Sequence, residues 1–404
     1  MQSAETAPLV AIACGGTGGH LFPGLAVAEV LLRAGCAVSL IVSPRDVDQQ
    51  AVKAAVGMEV ITLPAVGLSR GQFIAFLTGF WQSCRTARKN FQSRPPRAVL
   101  AMGGFTSAPP ILAGRKLGAA TYLHESNSVP GRANRWLAPK VDRVFAGFPA
   151  AVLRLRNRSV TVTGTPVRPE FRPMDAASCR VALGLSADEP VLLVMGGSQG
   201  ASGINKLVLD SLPLLSAQMP ELQFLHLTGA GDFENVHRAY TARKLKAVVR
   251  PFLSEMELAL GAATAAISRA GASSLAEIAA MRLPAVLIPY PVAADNHQFF
   301  NARAFIETGA ARMLEQRGAT SEALVQRVKE LVCDSAIRES IQTALAQWHR
   351  PDAAGQIAAQ MLEAIARNGA LILPPASRER RGAEEKPLHR RIEPARQNVS
   401  AEIA

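Results

Sequence analysis

Cysteine is scarce in this sequence, and no apolar run is long enough to cross a bilayer. The five cysteines lie at positions 14, 36, 84, 179 and 333, without any Cys-x-x-Cys spacing. Such a scattered, odd set predicts neither a disulfide framework nor a zinc site. Each apolar run is interrupted well before about 18 residues, and the first residues lack the pattern of a secretory signal. We therefore expect a cytoplasmic location.

Aromatic residues are also few, at 5 % of 404 residues, whereas apolar residues make up 49 % and charged residues 19 %. This balance is typical of a folded globular protein and excludes a largely disordered chain. The low aromatic content favours helices packed on buried parallel strands over an aromatic-rich β-sandwich. At about 150 residues per domain, the length indicates two or three domains.

Positive charge is concentrated in the first part of the chain. Residues 1–163 contain 18 Lys and Arg against 7 Asp and Glu, while the remaining residues contain 26 against 25. A basic half beside a neutral half predicts an anionic partner on one side of the molecule. Charge alone leaves nucleic acid, an acidic membrane surface and a phosphorylated substrate as candidates.

Short apolar runs alternate with helical patterns, which is typical of βαβ units in a parallel sheet. The predicted strands of the first half are Leu9–Cys14, Ala37–Val42, Ala98–Met102 and Ala119–Leu123, and its predicted helices are Phe22–Arg33, Phe73–Lys89 and Ala108–Lys116. The predicted strands of the second half are Val191–Met195, Leu222–Leu227, Ala247–Val249, Ala263–Ser268 and Ala285–Pro289. Both halves begin with a strand and a Gly-Gly turn, so we predict an α/β protein with two tandem, doubly wound Rossmann-like domains.

The stretch Thr163–Pro173 contains three prolines and is typical of a linker. We expect an N-terminal domain over residues 1–164, a second domain over 165–345 and a helical segment over 346–370. Residues 371–404 contain Pro, Arg and Glu without apolar periodicity, which predicts a disordered tail.

Three Gly-rich turns follow predicted strands and carry the chemical signal of the sequence. They are GGTGGH at 15–20, GGSQG at 196–200 and RAGASS at 269–274. Such a turn points backbone N–H groups at a ligand, and the helix that follows favours an anion. Because ligands of doubly wound sheets bind at the carboxyl ends of the strands, we expect these turns to surround one cleft between the domains.

The sequence lacks the signature motifs of nicotinamide dinucleotide sites and of P-loop nucleotide sites. G-x-G-x-x-G is missing from the first turn, no acidic residue ends the second strand, and no Gly-Lys-Ser/Thr occurs. Asp46 and Asp48 stand at a polar helix start, where capping or solvation explains them better than metal binding. We expect no cofactor and no metal site.

Several motifs resemble those of MurG-type N-acetylglucosaminyltransferases. These motifs are GGTGGHLFPGLAVA (15–28), MGGFTS (102–107), HESNSVPG (124–131), TGTPVR (163–168), GGSQGA (196–201), SRAGASSLAEIA (268–279) and DNHQFFNA (295–302). They cover residues 9 to about 365 in the family's order. The resemblance implies a GT-B fold and inverting transfer of GlcNAc from UDP-GlcNAc to the 4-hydroxyl of the muramyl sugar in lipid I, which makes lipid II of peptidoglycan. It also implies catalysis without a metal, and a peripheral protein at an anionic membrane, on the cytoplasmic face.

The resemblance places the UDP-GlcNAc site mainly on the second domain. Glu277 is expected to bind the ribose, Gln298 the GlcNAc hydroxyls, and Leu253 the uracil through its backbone, while His297 packs nearby. The remaining expected donor residues are Arg168, Ser198, Ala272, Ser273, Ser274, Leu275 and Ala276 on the second domain, and Thr17, Gly18, Gly19 and Asn127 on the first.

His20 is our candidate general base, because a neutral imidazole accepts a proton at cytoplasmic pH. A loop-capping or pyrophosphate-binding role is its alternative. Glu125 is the next candidate, although it and His124 fit structural roles in their loop. The sequence departs from many family members at Thr165, where Asn is common, and at Phe105, where Tyr is common.

A segment of the first domain combines an apolar face with a basic cluster. Phe73, Phe76, Leu77, Phe80 and Trp81 share one helical face, and Arg85, Arg88, Lys89, Arg94 and Arg97 follow. This combination is typical of interfacial membrane helices, although ordinary core is the alternative.

Two other functions compete with the first. Another GT-B sugar-nucleotide enzyme, such as a glycolipid transferase or a UDP-GlcNAc epimerase, would share the donor half, but GGTGGH and HESN argue against it. Nucleic-acid binding by the basic half is disfavoured because aromatic residues are few and no recognised nucleic-acid motif is present, so we expect no nucleic-acid partner.

Overall fold

The computed structural model describes residues 7–16, 18–44, 55–64, 73–197 and 200–370. The chain up to Ile365 forms one compact unit, and a second begins at Ala366. Asp46, Asp48 and the predicted tail lie outside the described residues. Within these residues, no helix has the length and apolar character needed to span a bilayer.

The first half of the chain forms a seven-stranded parallel sheet in the order β3-β2-β1-β4-β5-β6-β7. Its strands are β1 (Leu9–Ala13), β2 (Ala37–Val42), β3 (Glu59–Thr62), β4 (Ala98–Ala101), β5 (Ala120–Glu125), β6 (Arg143–Ala146) and β7 (Val160–Val162). The central strands are buried along their whole length, as expected for a sheet covered on both faces.

The second half forms a six-stranded parallel sheet in the order β10-β9-β8-β11-β12-β13. Its strands are β8 (Val191–Met195), β9 (Gln223–Leu227), β10 (Ala247–Arg250), β11 (Ala265–Ser268), β12 (Ala285–Leu287) and β13 (Arg312–Met313). All predicted strands of both halves are confirmed, within two residues at each end. The predicted pair of doubly wound Rossmann-like domains is therefore confirmed.

Helices connect the strands in both sheets. Those of the first half are α1 (Gly18–Arg33), α2 (Phe73–Ser93), α3 (Ala108–Lys116) and α4 (Arg132–Leu137). Those of the second half are α5 (Ala176–Ala182), α6 (Ser202–Gln218), α7 (Phe233–Ala242), α8 (Met256–Ala262), α9 (Ala272–Met281), α10 (His297–Glu307), α11 (Ser321–Cys333), α12 (Ser335–Trp348) and α13 (Ala353–Ala370). Short 3-10 helices cover Ala138–Lys140, Pro149–Arg154 and Ala294–Asn296.

Helix α13 returns the chain to the first sheet. Ala354, Ile357, Ala358 and Met361 share one helical face, at spacings of three and four residues. They are buried in the same apolar cluster as β1 and α1. The chain therefore crosses between the two sheets twice, once through the stretch Thr163–Pro173 and once between α12 and α13.

Candidate active site

Two glycine turns of the first domain, after β1 and β4, hold the imidazole of His20. Gly103 and Gly104 have φ angles of 111° and 81°. A β-carbon on Gly103 would lie 3.0 Å from His20 Nε2, and one on Gly104 would lie 3.1 Å from Cε1 of the same ring. Glycine at both positions therefore lets the half-buried ring lie against this turn. Thr106 Oγ1 ties the turns together by donating to Gly15 O at 2.8 Å.

A hydrogen bond joins the start of α1, next to His20, to the second domain. Pro23 lies inside α1, and because proline has no N–H, the carbonyl of Gly19 lacks its usual partner four residues on. Ser273 Oγ, at the start of α9, donates to this carbonyl at 2.9 Å. The sequence of α1 thus frees an acceptor where the two domains meet.

Helix α9 begins without a side-chain cap. Its N-cap is Gly271, and no side chain accepts a hydrogen bond from its first turn. The first backbone N–H groups of a helix have no partner within it, and the positive end of the helix dipole lies there. Ala272 and Leu275 are buried, whereas Ser273 and Ser274 are half-buried. This end of α9 can bind an anion through its backbone.

Glu277 lies in the second turn of α9 and is half-buried. Burial raises the pKa of Glu277 to about 7, Glu170 adds to this effect and Arg168 opposes it. Arg168 forms an ion pair with Glu170 at 2.9 Å, and its guanidinium lies 5.2 Å from the ring centres of both Phe22 and Phe171. The linker arginine therefore lies between an aromatic ring of α1 and the donor half of the predicted site.

The loop after β5 is organised around the buried carboxylate of Glu125. Its Oε1 accepts from the backbone and side-chain nitrogens of Asn127, at 2.8 Å and 3.2 Å. Its Oε2 accepts from Gly131 N at 3.0 Å and Asn134 Nδ2 at 2.8 Å. Burial raises the pKa of Glu125, although these four hydrogen bonds oppose the shift. The geometry favours the structural interpretation of Glu125 over the catalytic one.

His124 is buried and neutral, since burial lowers its pKa to about 4. Its Nε2 donates to Gly164 O at 3.1 Å, and its Nδ1 accepts from Ser126 Oγ at 3.2 Å. Because a carbonyl only accepts, the proton of the neutral ring lies on Nε2. This geometry favours the structural interpretation of His124 as well.

The expected sugar-binding residues of the second domain lie around the start of α10. Gln298 Oε1 accepts from Tyr290 N at 2.9 Å, which leaves its NH₂ group facing no partner among the described residues. His297 Nδ1 donates to Ala294 O at 2.8 Å. Leu253 packs on the core of the second sheet, beside the ring of Phe252, which is 54 % exposed.

Two expected donor residues, Thr17 and Ser198, lie outside the described part of the chain. Gly18 is buried at the first position of α1, and Gly19 is half-buried beside it. The ring of Phe105 lies over the first turn, because a β-carbon on Gly16 would be 3.1 Å from Phe105 Cε1. The structure thus brings the first turn, α9 and the linker arginine together.

The apolar face of α2 divides into an inner and an outer part. Phe80 packs against the core of the first sheet, and the half-buried ring of Phe76 stacks on it at 6.2 Å. Leu77 is 47 % exposed and Trp81 61 % exposed. The side chain of Phe73 lies outside the described residues, whereas neighbouring Ile74, which sequence analysis did not select, is 78 % exposed.

The basic cluster continues directly from the outer part of α2. Arg85 lies over the ring of Trp81 at 5.7 Å. Arg85, Arg88, Lys89, Arg94 and Arg97 are all exposed.

The sequence patterns assigned no individual role to two buried polar residues, Asn301 at the domain boundary and Arg269 within the second domain. Asn301 bridges loops of both domains and lies three residues after Gln298 on α10, in the motif DNHQFFNA. Buried Arg269 donates to Ile288 O at 3.0 Å and to Gln316 Oε1 at 2.7 Å, which fixes the β12–α10 loop. The helical spacing from Gln298 is a signal that could have found Asn301.

Comparisons with known proteins agree with this geometry. The family model of the glycosyltransferase family 28 N-terminal domain matches residues 10–146, and that of the C-terminal domain matches residues 191–357. Two curated relatives are named UDP-N-acetylglucosamine–N-acetylmuramyl-(pentapeptide) pyrophosphoryl-undecaprenol N-acetylglucosamine transferase. One, from Anaeromyxobacter sp. strain Fw109-5, is 35 % identical over 92 % of this chain and 96 % of its own. The other, from Acidithiobacillus ferrooxidans, is 38 % identical over 88 % and 97 %.

A solved structure agrees with this family. The crystal structure of Acinetobacter baumannii MurG is 27 % identical, with a TM-score of 0.69 over 88 % of this chain and 99 % of that one. A UDP-N-acetylglucosamine 2-epimerase of Listeria monocytogenes, described as putative in its title, is 14 % identical with a TM-score of 0.66, which shows a common fold only. The matches to both family 28 domains and to full-length relatives establish that this chain belongs to the MurG-type N-acetylglucosaminyltransferases of glycosyltransferase family 28.

Proposed function

We propose that this protein transfers GlcNAc from UDP-GlcNAc to the 4-hydroxyl of the muramyl sugar in lipid I, with inversion at the anomeric carbon. One observation carries the proposal. The turn that bears His20 touches the uncapped start of α9, through the 2.9 Å hydrogen bond from Ser273 to Gly19. A base on one domain and an anion-binding helix on the other thereby lie on the two sides of the place where the anomeric carbon would react. An inverting displacement requires this arrangement.

The second domain is the donor side of this proposal. The first backbone N–H groups of α9, including those of Ser273 and Ser274, bind the pyrophosphate together with the Ser274 hydroxyl and stabilise the charge of the departing UDP. Glu277 accepts hydrogen bonds from the ribose hydroxyls, and the Arg168 guanidinium lies beside it as a further positive charge. Ser198 adds a hydroxyl to this site, and the backbone of Leu253 contacts uracil.

The anionic leaving group is stabilised by these helix and side-chain groups without a cofactor. Among the described residues, no cluster of three or more His, Cys, Asp or Glu side chains could hold a metal ion. Because the start of α9 and these side chains stabilise the charge of the departing UDP, we expect product to form in the presence of a chelator.

The donor sugar lies between the domains. Gln298 presents its NH₂ group to the sugar hydroxyls, and Asn127 and the backbone of Thr17, Gly18 and Gly19 contact the sugar from the first domain. His20 removes the proton of the acceptor hydroxyl as the new bond forms, which contributes roughly 10²–10⁴ in rate. Glu125 is the weaker candidate for this step because its four hydrogen bonds already use both carboxylate oxygens.

The first domain is the acceptor side, on the cytoplasmic face of the membrane. Leu77 and Trp81, the exposed members of the predicted apolar face of α2, contact an anionic bilayer in which lipid I resides, and Phe105 lies near the acceptor entrance. Each Lys or Arg near such a surface adds about 1 kcal/mol of attraction. We place the acceptor domain at residues 1–164 and the donor domain at 165–345, followed by the helical segment 346–370 and the tail 371–404.

Incubation with UDP-GlcNAc and a short-chain lipid I analogue tests the proposal directly. Mass spectrometry should detect the disaccharide product, with one UDP released for each transfer. Release of UDP with free 2-epimerised sugar would instead assign the chain to the epimerases. Transfer only to other glycolipids would assign it to a different GT-B transferase.

A further inference from the structure

Asn301 is a fully buried residue of α10 that joins loops of both domains. Its Oδ1 accepts from Ser128 N and from Ser128 Oγ, both at 2.9 Å. Its Nδ2 donates to Asn127 Oδ1 at 3.0 Å and to Ala270 O at 3.1 Å. All four hydrogen-bonding positions of the amide are therefore used.

These partners allow only one orientation of the Asn301 amide. The backbone N–H of Ser128 can only donate, so Oδ1 must face it, and the carbonyl of Ala270 can only accept, so Nδ2 must face it. A flipped amide would leave a donor facing a donor and an acceptor facing an acceptor, both buried, which is costly.

The orientation of Asn301 in turn fixes the amide of Asn127. Because Asn301 Nδ2 only donates, Asn127 Oδ1 faces it, and Asn127 Nδ2 then donates to Glu125 Oε1 at 3.2 Å. Glu125 Oε1 must accept here, since it also receives the backbone N–H of Asn127 at 2.8 Å. One Nδ2 hydrogen and one Oδ1 lone pair of Asn127 are left without a partner among the described residues.

The same amide relates Asn127 to the donor helix. Ala270, which accepts from Asn301, lies two residues before α9 and its uncapped N-terminus. Asn301 thus sets both the rotation of the Asn127 amide and its distance from the anion-binding turn.

We propose that Asn301 is a positioning residue for GlcNAc transfer: it holds the Asn127 amide in the one orientation that offers an N–H to the donor sugar. In this structure its own four hydrogen bonds are all made to protein, so it acts through Asn127 rather than on the substrate. This inference rests on the proposed function, in which Asn127 contacts the sugar.

A double-mutant cycle tests the positioning role. We expect Asn301→Leu and Asn127→Ala each to lower kcat/KM for transfer by at least about tenfold, since a small misplacement of a substrate-binding group is costly. The double variant should lose no more than about twofold beyond the larger single effect, because both changes remove the same contact. Independent effects, in which the two factors multiply, would overturn the positioning role.

Asn157 offers a matched control within the first domain. Like Asn301 Nδ2, its Nδ2 donates two hydrogen bonds, here both to backbone carbonyls, Ala138 O at 2.6 Å and Val141 O at 2.9 Å. Asn157→Leu should lower the melting temperature, but its effect on kcat/KM should multiply with that of Asn127→Ala. If combining Asn157→Leu with Asn127→Ala also causes no further loss of kcat/KM, the coupling reflects general destabilisation and the proposal fails.

Further measurements keep the test decisive. Asn301→Asp keeps the acceptor oxygen for both donors of Ser128 and loses the amide donors, so it should show the same coupling to Asn127→Ala. If both variants at position 301 fail to fold, Ser128→Ala, which removes one of the two donors to Oδ1, takes their place in the cycle. The Kd for UDP-GlcNAc is also measured by calorimetry for the wild type, the single variants and the double variant of the same cycle. A wild-type protein without transfer would contradict the proposed function, while the binding cycle would still decide the role of Asn301.

Discussion

At the scale of single residues, the structure separates groups of similar chemistry by their surroundings. His20 lies half-buried against a glycine turn, whereas His124 is buried between two hydrogen-bond partners and has its pKa lowered to about 4. Glu277 has no hydrogen-bond partner among the described residues, whereas Glu125 has four. A carboxylate with spare hydrogen-bonding capacity at a domain boundary, such as that of Glu277, is the better candidate for substrate contact.

His20 should matter for turnover rather than for donor binding. We expect His20→Ala to lower kcat by at least about 10², with the KM for UDP-GlcNAc barely changed, because a base acts only in the transition state. His20→Gln retains a hydrogen bond but cannot take the proton, so it should be comparably slow. Steady-state kinetics decide the matter, and a glutamine variant with most of its kcat would make His20 a binding residue.

Glu277 should give donor binding a pH dependence near neutrality. Its ionised carboxylate is the form that accepts two ribose hydroxyls, and its pKa is raised to about 7. As the pH falls from 8 to 6 the protonated fraction grows, so the KM for UDP-GlcNAc should rise by about tenfold. The KM for the acceptor should change little.

Two variants isolate this effect. Glu277→Ala should raise the KM for UDP-GlcNAc much more than that for the acceptor, and Glu277→Gln should give a KM that no longer varies over this pH range. A selective acceptor defect, or an unchanged pH profile in the glutamine variant, would remove Glu277 from the ribose site.

At the scale of elements, most buried strands could be predicted, whereas three of the four edge strands could not. β1, β4 and β8 are continuous apolar runs, and β2 is interrupted only by Ser39, because helices cover both faces of the sheet. β3 is an edge strand with largely exposed residues, edge strand β7 has three half-buried or exposed residues, and β13 has only two residues, both half-buried, so these three carry little apolar signal. The fourth strand that was not predicted, β6, is buried except at Arg143, and burial does not explain its omission.

Tertiary packing determines which apolar residues of α2 are buried and which are exposed. Periodicity grouped five apolar residues, but packing on the first sheet takes Phe80 inward and leaves Leu77 and Trp81 exposed. Ile74, one position outside the predicted set, is more exposed than Leu77 or Trp81. A helical period predicts which residues share a face but not how much of that face a neighbouring helix covers.

The exposed part of α2 should attach the protein to membranes. We expect Leu77→Ser with Trp81→Ser to lower binding to anionic vesicles at least about tenfold in sedimentation, because two buried apolar contacts with the bilayer are lost. Val181 on α5, which is 63 % exposed, provides the control, and Val181→Ser should bind as the wild type does. Unchanged binding of the double variant would place the membrane contact elsewhere.

At the scale of the whole molecule, the two sheets and their Gly turns followed from sequence pattern, while the contacts between domains did not. The bridges Ser273–Gly19 and Asn301–Asn127 join residues 254 and 174 positions apart, beyond the reach of any local pattern. The ion pair between Arg135 and Asp295, at 2.6 Å, joins the same two domains. Asp295 and Asn296, with φ near 50°, turn the chain sharply before α10 and bring this carboxylate to α4.

The central claim is that a base on the first domain and a helix terminus on the second perform a single inverting displacement. The most direct test is the configuration of the new glycosidic bond, measured by NMR on the product from UDP-GlcNAc and a short-chain lipid I analogue in excess EDTA. Because the donor is α-linked, the account predicts a β-linked disaccharide joined through the 4-hydroxyl of the muramyl sugar. An α-linked product, or the absence of any disaccharide under these conditions, would contradict it.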